Sequence, residues 1–569
     1  MQIDWDVEIP MDDGLVVRAD IFRPQAQGRY PVLMSYGPYA KGLPFQVGFP
    51  AQWQALTAKH PEILHGSSGK YANWETADPE RWVPLGYICI RVDSRGAGRS
   101  PGVIDPFSAR EAQDFHDCIE WAARQPWSNG KIGLAGVSYY AASQWIVAGK
   151  RPPHLAAICP FEGFTDFYRD ACRHGGMLCT FLTEWYPRQV TSVQHGLGSR
   201  GHVNPNNDVP VSGPDELSDE ALMANRVDID ALQVGAELIT AEYFDGRRAN
   251  LPAIEVPVLS CGNWGGQGLH LRGNIEGYLR AGSKQKWLEM HGLEHWTEFY
   301  TDYGVALQRR FFDHFLKGED NGWDREPPIR LQVRHIDGFV ERAEYEWPLA
   351  RTSWTRMYLN ADVLALHVEP PPTASLHAFD GLKGKVSFST LPFAHDTEVT
   401  GPLAATLYIS TTARDADLFV TVRAFAPDGK EHLVLGAVEP HAPIAQGWLR
   451  ASHRKLDPLA SKPYQPVHTH DELQPLEPGE VYEVQVEIWP TCLVFPQGYR
   501  LVLTVGSSDF QHDLPGPYPQ LYGKDVRGSS VLLHDHPVDR SASRFGGVTS
   551  LHCGGKFASH ILLPVIPAD

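Results

Sequence analysis

Covalent chemistry in this chain is best placed on a serine that stands between an apolar run and a helical one. Lys131-Ile-Gly-Leu-Ala-Gly-Val-Ser138-Tyr-Tyr-Ala-Ala142 reads as a short strand, a sharp turn and a helix. Ser138 occupies the turn, where a strained bend lifts a hydroxyl above a sheet as a nucleophile. The two backbones approach closely there, so small neighbours are needed. Gly136 precedes the serine, and Ala141 and Ala142 follow it. Tyr140 takes the place of the second glycine of a G-x-S-x-G pattern. The alternative role for Ser138 is to cap the helix.

A serine nucleophile needs a base, and the base usually needs a carboxylate. In an α/β-hydrolase sheet the order is serine, acid, histidine. Met290-His-Gly-Leu-Glu-His-Trp296 follows the last strand candidate and supplies His291 and His295. His295 lies farther from the strand end and is the preferred base. The acid is expected after strand Pro257 to Cys261, yet the loop there, Gly262-Asn-Trp-Gly-Gly-Gln-Gly268, has no Asp or Glu. Glu162, one strand earlier, is the candidate acid, with Asp166 and Glu294 behind it. A salt bridge or loop cap is the alternative role for Glu162. The oxyanion needs two donors. The Tyr139 amide is one, and the Tyr39 hydroxyl, in Gly37-Pro-Tyr39-Ala-Lys-Gly42, is placed to be the other.

These residues need a sheet to carry them. Apolar runs at Tyr30–Tyr36, Tyr87–Asp93, Lys131–Ala135, Leu155–Cys159, Pro257–Cys261 and Gln285–Met290 alternate with helical patterns at Ala109–Arg124, Ala141–Gly149 and Gly304–Lys317. That alternation predicts a mostly parallel α/β sheet over residues 1–164 and 251–345. Residues 43–80 read as an insertion. Residues 165–250 read as a helical cap over the elbow, with a polar loop from Ser199 to Asp219. From 346 to 569 short alternating strands predict an all-β jelly roll.

The length of 569 residues calls for two or three domains. A hydrophobic fraction of 43% and a charged fraction of 21% are those of a globular protein. The net charge of -18 argues against nucleic acid or an anionic membrane as partner. No leader pattern opens the chain and no membrane span is expected. Eight scattered cysteines without a CxxC pair read as buried free thiols, which points to the cytoplasm. No metal-ligand spacing appears, so no cofactor or metal is expected. A small-molecule ester or amide is the expected partner, and homo-oligomerisation is compatible with the sequence.

Taken in order, these segments resemble the bacterial cocaine esterase and X-Pro dipeptidyl-peptidase family of serine hydrolases, the CocE/NonD-type α/β-hydrolases. Asp93-Ser-Arg-Gly-Ala-Gly-Arg-Ser-Pro-Gly102 is similar to the family's D-x-R-G-x-G-x-S-x-G segment. Trp127-Ser-Asn-Gly-Lys-Ile-Gly-Leu-Ala-Gly-Val-Ser-Tyr139 is similar to its approach to the nucleophile. Gly447-Trp-Leu-Arg-Ala-Ser-His-Arg454 and Phe495-Pro-Gln-Gly-Tyr-Arg-Leu501 resemble its C-terminal segments. The resemblance implies an α/β-hydrolase domain, a helical cap and a jelly roll. It implies Ser138 as nucleophile, His295 as base, and Tyr39 with Tyr139 as oxyanion donors. The family's acid stands in a W-x-D segment, which here reads Trp264-Gly-Gly266, so the aspartate position is Gly266. The expected activity is ester hydrolysis through an acyl-enzyme. X-Pro peptidase action or amino-acid ester hydrolysis with acyl transfer is the runner-up, and a binding protein that has lost its acid is the reading from another class.

Overall fold

The computed structural model describes residues 1–437, 439, 441–514, 528–529 and 531–568. Of the expected jelly-roll segment, residues 438, 440, 515–527, 530 and 569 lie outside the described residues.

Ten strands build the N-terminal sheet. They are β1 (Gln2–Pro10), β2 (Val16–Arg23), β3 (Tyr30–Gly37), β4 (Ile88–Asp93), β5 (Ser128–Val137), β6 (Leu155–Phe161), β7 (Val258–Asn263), β8 (Lys286–His291), β9 (Ile329–His335) and β10 (Gly338–Glu344). Their order in space is β1-β2-β4-β3-β5-β6-β7-β8-β9-β10. From β4 across to β9 every pair is parallel, and antiparallel pairs close the two flanks. All six residues of β4 are buried, and so are the last six of β5. Strands covered by helices on both faces need such unbroken apolar runs, which is why they are legible in the sequence.

The helices that matter to the site are α1 (Ala109–Ala123), α2 (Tyr139–Ala148), α3 (Leu271–Arg280) and α4 (Asp302–Phe312). Ser108 starts α1 by accepting the Glu111 amide. α2 begins directly after Ser138, two residues earlier than its pattern predicts. It is buried at every position but Ser143, so it has no polar face to mark its start.

Residues 165–250 hold short helical pieces joined by irregular segments. They form short turns such as Phe181–Trp185, Asp219–Ala224 and Ile229–Gly235, with a small hairpin of Arg173–His174 on Met177–Leu178. Phe181–Trp185 runs on through Tyr186–Val190, and interspersed Pro, Gly and Asn keep the other helical pieces to about two turns or fewer.

The C-terminal segment is all-β. Thr397–Thr411 pairs with both Tyr482–Phe495 and His560–Ile566. The ladder that starts on one of its edges therefore returns to the other, and the sheet closes on itself. Leu403, Leu407, Leu418, Val420, Val486 and Leu503 fill its interior. Among the described residues no helix is long and apolar enough to cross a membrane. All eight cysteines are buried and unpaired.

Candidate active site

β5 delivers Ser138 to the carboxyl edge of the sheet in a strained backbone conformation, φ 59 and ψ -112. Such a geometry costs of order 1–3 kcal/mol and persists only where neighbours enforce it. Here the Val137 amide donates to the Glu75 carbonyl at 3.0 Å and the Ser138 amide to the Phe161 carbonyl at 3.1 Å. Gly136 has φ 154, and a Cβ there would stand 2.4 Å from Cβ of Tyr140. The small residue missing after the serine is found across the gap. A Cβ on Gly163 would sit 2.5 Å from Cβ of Ala141. Gly163 thus supplies the clearance that a glycine in α2 would otherwise give.

Ser138 Oγ lies 3.1 Å from Nε2 of His270, a residue absent from the sequence reading. His270 closes the loop after β7, immediately before α3. Its Nδ1 is buried without a hydrogen-bond partner among the described residues. Burial, with His295 adding repulsion, holds its pKa well below the ordinary histidine value. The ring is stacked on that of His295, with centroids 5.2 Å apart and planes 17° apart.

His295 stands on the loop after β8. Its Nδ1 faces Glu162 Oε2 at 2.7 Å, and its Nε2 faces Glu75 Oε1 at 2.9 Å rather than Ser138. Burial opposes a charge on this ring, but Glu162 and then Glu75 outweigh it and raise the pKa to about 10. Glu162 is driven the other way: against burial, His295 and His291 bring it down to about 2. Burial pushes Glu75 up to about 7 against the pull of His295. The proton between His295 and Glu75 therefore rests on His295, the stronger base of the two.

Of the remaining candidates, only His291 touches this arrangement, through Glu162. His291 is fully buried beneath it, with Nδ1 on Glu289 at 2.8 Å and Nε2 on Glu162 Oε1 at 3.1 Å. Glu294 pairs with Lys59, and Asp166 with Arg169. Neither reaches His295. Gly266 belongs to a tight turn whose carbonyl accepts the His270 and Leu271 amides. A Cβ there would meet the Asn263 carbonyl oxygen at 3.1 Å. The one sequence signal for His270 is its place two residues past the loop expected to hold the acid, which does not separate it from a core histidine. Glu75 carries no such signal, since it comes from the insertion at 43–80.

Tyr39 lines the same cleft, and Trp185 Nε1 donates to its hydroxyl oxygen at 2.9 Å. The Asp93 segment explains its placement. Asp93 accepts the Lys41 amide at 2.5 Å and the Arg99 amide at 2.8 Å, fixing the loop that carries Tyr39. A Cβ on Gly98 would stand 2.2 Å from the Asp93 carboxylate, so only glycine allows this turn. Tyr139 opens α2, where an amide has no acceptor within the helix. Its side chain is anchored away, donating to Glu111 at 2.5 Å.

Ser138 opens onto a cleft that both domains line. Trp74, Phe107, Phe164 and Trp296 make it apolar. Phe181 and Leu182 come from the 165–250 segment, and Glu439, Gln446 and Leu532 from the β domain. The β domain also holds the histidine loop. Ala437 donates its amide to the Gly265 carbonyl and accepts the His295 amide, each at 2.9 Å. A Cβ on Gly265 would stand 2.7 Å from the Ala437 nitrogen, so this crossing needs glycine at the position before Gly266.

This strand order, with a strained serine at the end of β5 and a histidine loop after β8, defines an α/β-hydrolase. Residues 13–297 match the X-Pro dipeptidyl-peptidase (S15 family), and residues 321–562 match the X-Pro dipeptidyl-peptidase C-terminal non-catalytic domain. A CocE/NonD family hydrolase from Staphylococcus aureus is similar over 99% of this chain and 93% of its own, with 32% identity and a TM-score of 0.84. The cocaine esterase of Rhodococcus sp. is 24% identical over 99% of this chain and 98% of its own length. A putative Xaa-Pro dipeptidyl-peptidase of Streptomyces avermitilis is 24% identical over 87% of this chain and 76% of its own. The chain belongs to the cocaine esterase and X-Pro dipeptidyl-peptidase family, the CocE/NonD-type serine hydrolases, and is an enzyme of that class.

Proposed function

We propose that the protein hydrolyses carboxylic esters through an acyl-enzyme on Ser138. The observation that carries this is the strained Ser138, whose Oγ meets an imidazole at the floor of an apolar cleft. Oγ attacks the acyl carbon and gives its proton to the base, and the carbonyl electrons move onto oxygen. Tyr39 and the Tyr139 amide hold that oxyanion. Collapse expels the alcohol, which takes the proton. Water then repeats the sequence and releases the acid.

His295 is the base in this reading. Glu162 on its Nδ1 stabilises the imidazolium that forms, whereas His270 has no carboxylate and its burial disfavours a charge. The ring acts once it has lost its Nε2 proton to solvent and Nε2 has turned from Glu75 to Ser138. His270 keeps the hydroxyl oriented until then.

A panel of aryl esters, alkyl esters and aminoacyl amides tests the proposal. We expect ester turnover with an acyl adduct on the Ser138 peptide, detected by mass. Turnover without an adduct would remove the acyl-enzyme. Removing one oxyanion donor costs about 10²–10³-fold in other hydrolases. Tyr39→Phe is therefore expected to lower kcat by about that factor with little change in KM.

One observation favours the amine-directed reading within the family. Glu439 lines the cleft, burial pushes its pKa up to about 7, and its Oε2 has no hydrogen-bond partner among the described residues. An ammonium group would satisfy that oxygen. Glu439→Gln is then expected to raise KM for aminoacyl esters about tenfold or more while sparing neutral esters. Equal effects on both substrate classes would discard this version.

The same reading takes 165–250 as the cap, supported by Phe181 and Leu182 on the cleft wall, and 346–569 as a jelly roll, supported by the closed, mostly antiparallel ladder. It places the enzyme in the cytoplasm, supported by the unpaired cysteines.

A further inference from the structure

Outside the catalytic cleft, three metal-ligating side chains from distant parts of the chain converge in a fully buried site. His174 lies on the small hairpin of the 165–250 segment, Cys179 directly follows that hairpin, and His534 belongs to the β domain. One ligand atom from each lies within 4.8 Å of the others. The hydrogen bonds around them set the protonation states. His174 Nε2 is 3.1 Å from the Asp170 carbonyl oxygen, which can only accept. His534 Nδ1 is 2.9 Å from the Asp509 carboxylate. Both outer nitrogens therefore carry hydrogens. A neutral imidazole has only one, so both inner nitrogens present lone pairs. Those inner atoms, Nδ1 of His174 and Nε2 of His534, face each other at 2.8 Å. Two lone pairs in a dry interior repel unless something positive stands between them.

We propose that His174, Cys179 and His534 hold a thiophilic divalent cation of the zinc class, joining the hairpin to the β domain. Each imidazole then has the arrangement that metal-bound histidines adopt, with the outer N–H on a carbonyl or carboxylate and the inner lone pair on the metal. Two nitrogens at about 2.1 Å from a tetrahedral ion stand about 3.4 Å apart, so the rings part by about half an ångström on binding. Cys179 loses its thiol proton to solvent as the metal–sulfur bond forms. The backbone prepares its position: the Cys179 amide donates to the Cys172 carbonyl and the Thr180 amide to the Leu533 carbonyl, each at 2.8 Å. The latter bond ties Thr180 to the residue before His534. The sequence hides the site because its ligands are 360 residues apart, counted from His174 to His534.

The test uses the full-length protein, stripped with a chelator and titrated with Zn²⁺ and with Co²⁺. We expect about one equivalent of Zn²⁺ per chain, a higher Tm on binding, and a thiolate-to-cobalt charge-transfer band with Co²⁺. Cys179→Ser should abolish that band, and His534→Gln should weaken metal binding at least tenfold. A proton shared between the two rings would answer the same constraint without a metal. Wild-type protein that takes up neither metal, or whose cobalt band survives in Cys179→Ser, overturns the proposal. The wild-type titration decides even if a variant fails to fold.

Discussion

Ser138→Ala is expected to lower kcat by about 10⁵–10⁶-fold, the scale seen when a hydrolase loses its nucleophile. It should also lose all labelling by a fluorophosphonate probe at that position. The strain at φ 59 and ψ -112 adds a second readout. Alanine keeps the Cβ and so keeps the strain. Glycine adopts positive φ freely, at an entropic cost of its own. Ser138→Gly should therefore be as inactive as Ser138→Ala but more stable than it by about 1 kcal/mol. Chemical denaturation of the two variants measures that difference. Wild-type protein that resists the probe, or a Ser138→Ala protein that still labels, would remove Ser138 from the chemistry.

The second large effect separates the two imidazoles. His295→Ala is expected to reduce kcat about 10⁴-fold or more, and Glu162→Gln about 10³–10⁴-fold. His270→Ala should cost less than either, because the ring carries no carboxylate to stabilise a proton it accepts. The pH profile gives an independent check. A base whose pKa is raised works better as pH rises, so kcat/KM should climb above neutrality. Glu75→Gln removes one of the two carboxylates on His295 and should move that limb to lower pH. A profile flat into mild acid, with His270→Ala the more damaging variant, would transfer the role of base to His270.

The same ion pair bears on stability. Glu162, lowered to about 2, contributes stability that is present above its ordinary 4.5 and lost as pH falls through 2. His295, raised to about 10, contributes stability that is present below its ordinary 6.5 and lost as pH rises through 10. These are two views of one interaction, at full strength between about 4.5 and 6.5. Glu162→Gln should flatten the acid limb of the unfolding curve.

The α/β core was legible because parallel strands such as Ile88–Asp93 must be apolar on both faces, and Ser138 because an elbow must follow such a strand. His295 and Glu162 were legible from their places after β8 and β6, which also bring them into contact. His270 and Glu75 were not. His270 sits just past the loop where a carboxylate was sought, and nothing in its neighbours separates it from a core histidine. Glu75 is brought in by an insertion whose path depends on tertiary packing, including a positive φ of 60 at Glu75 itself. In the 165–250 segment, Phe181 and Trp185 share one short helix and line the cleft, a placement that follows from tertiary packing rather than from their spacing.

The crossing at Ala437 bears on how such an enzyme is inherited. One residue of the β domain holds the backbone of His295 and, through Gly265, the loop that leads to His270. The seam between the two domains therefore runs through the catalytic machinery. Recombining the hydrolase half of this chain with the β half of a relative would exchange the part that sets the resting position of its histidine. In this architecture the C-terminal domain should descend with its catalytic partner as a matched pair, even though it supplies no group to the bond being broken.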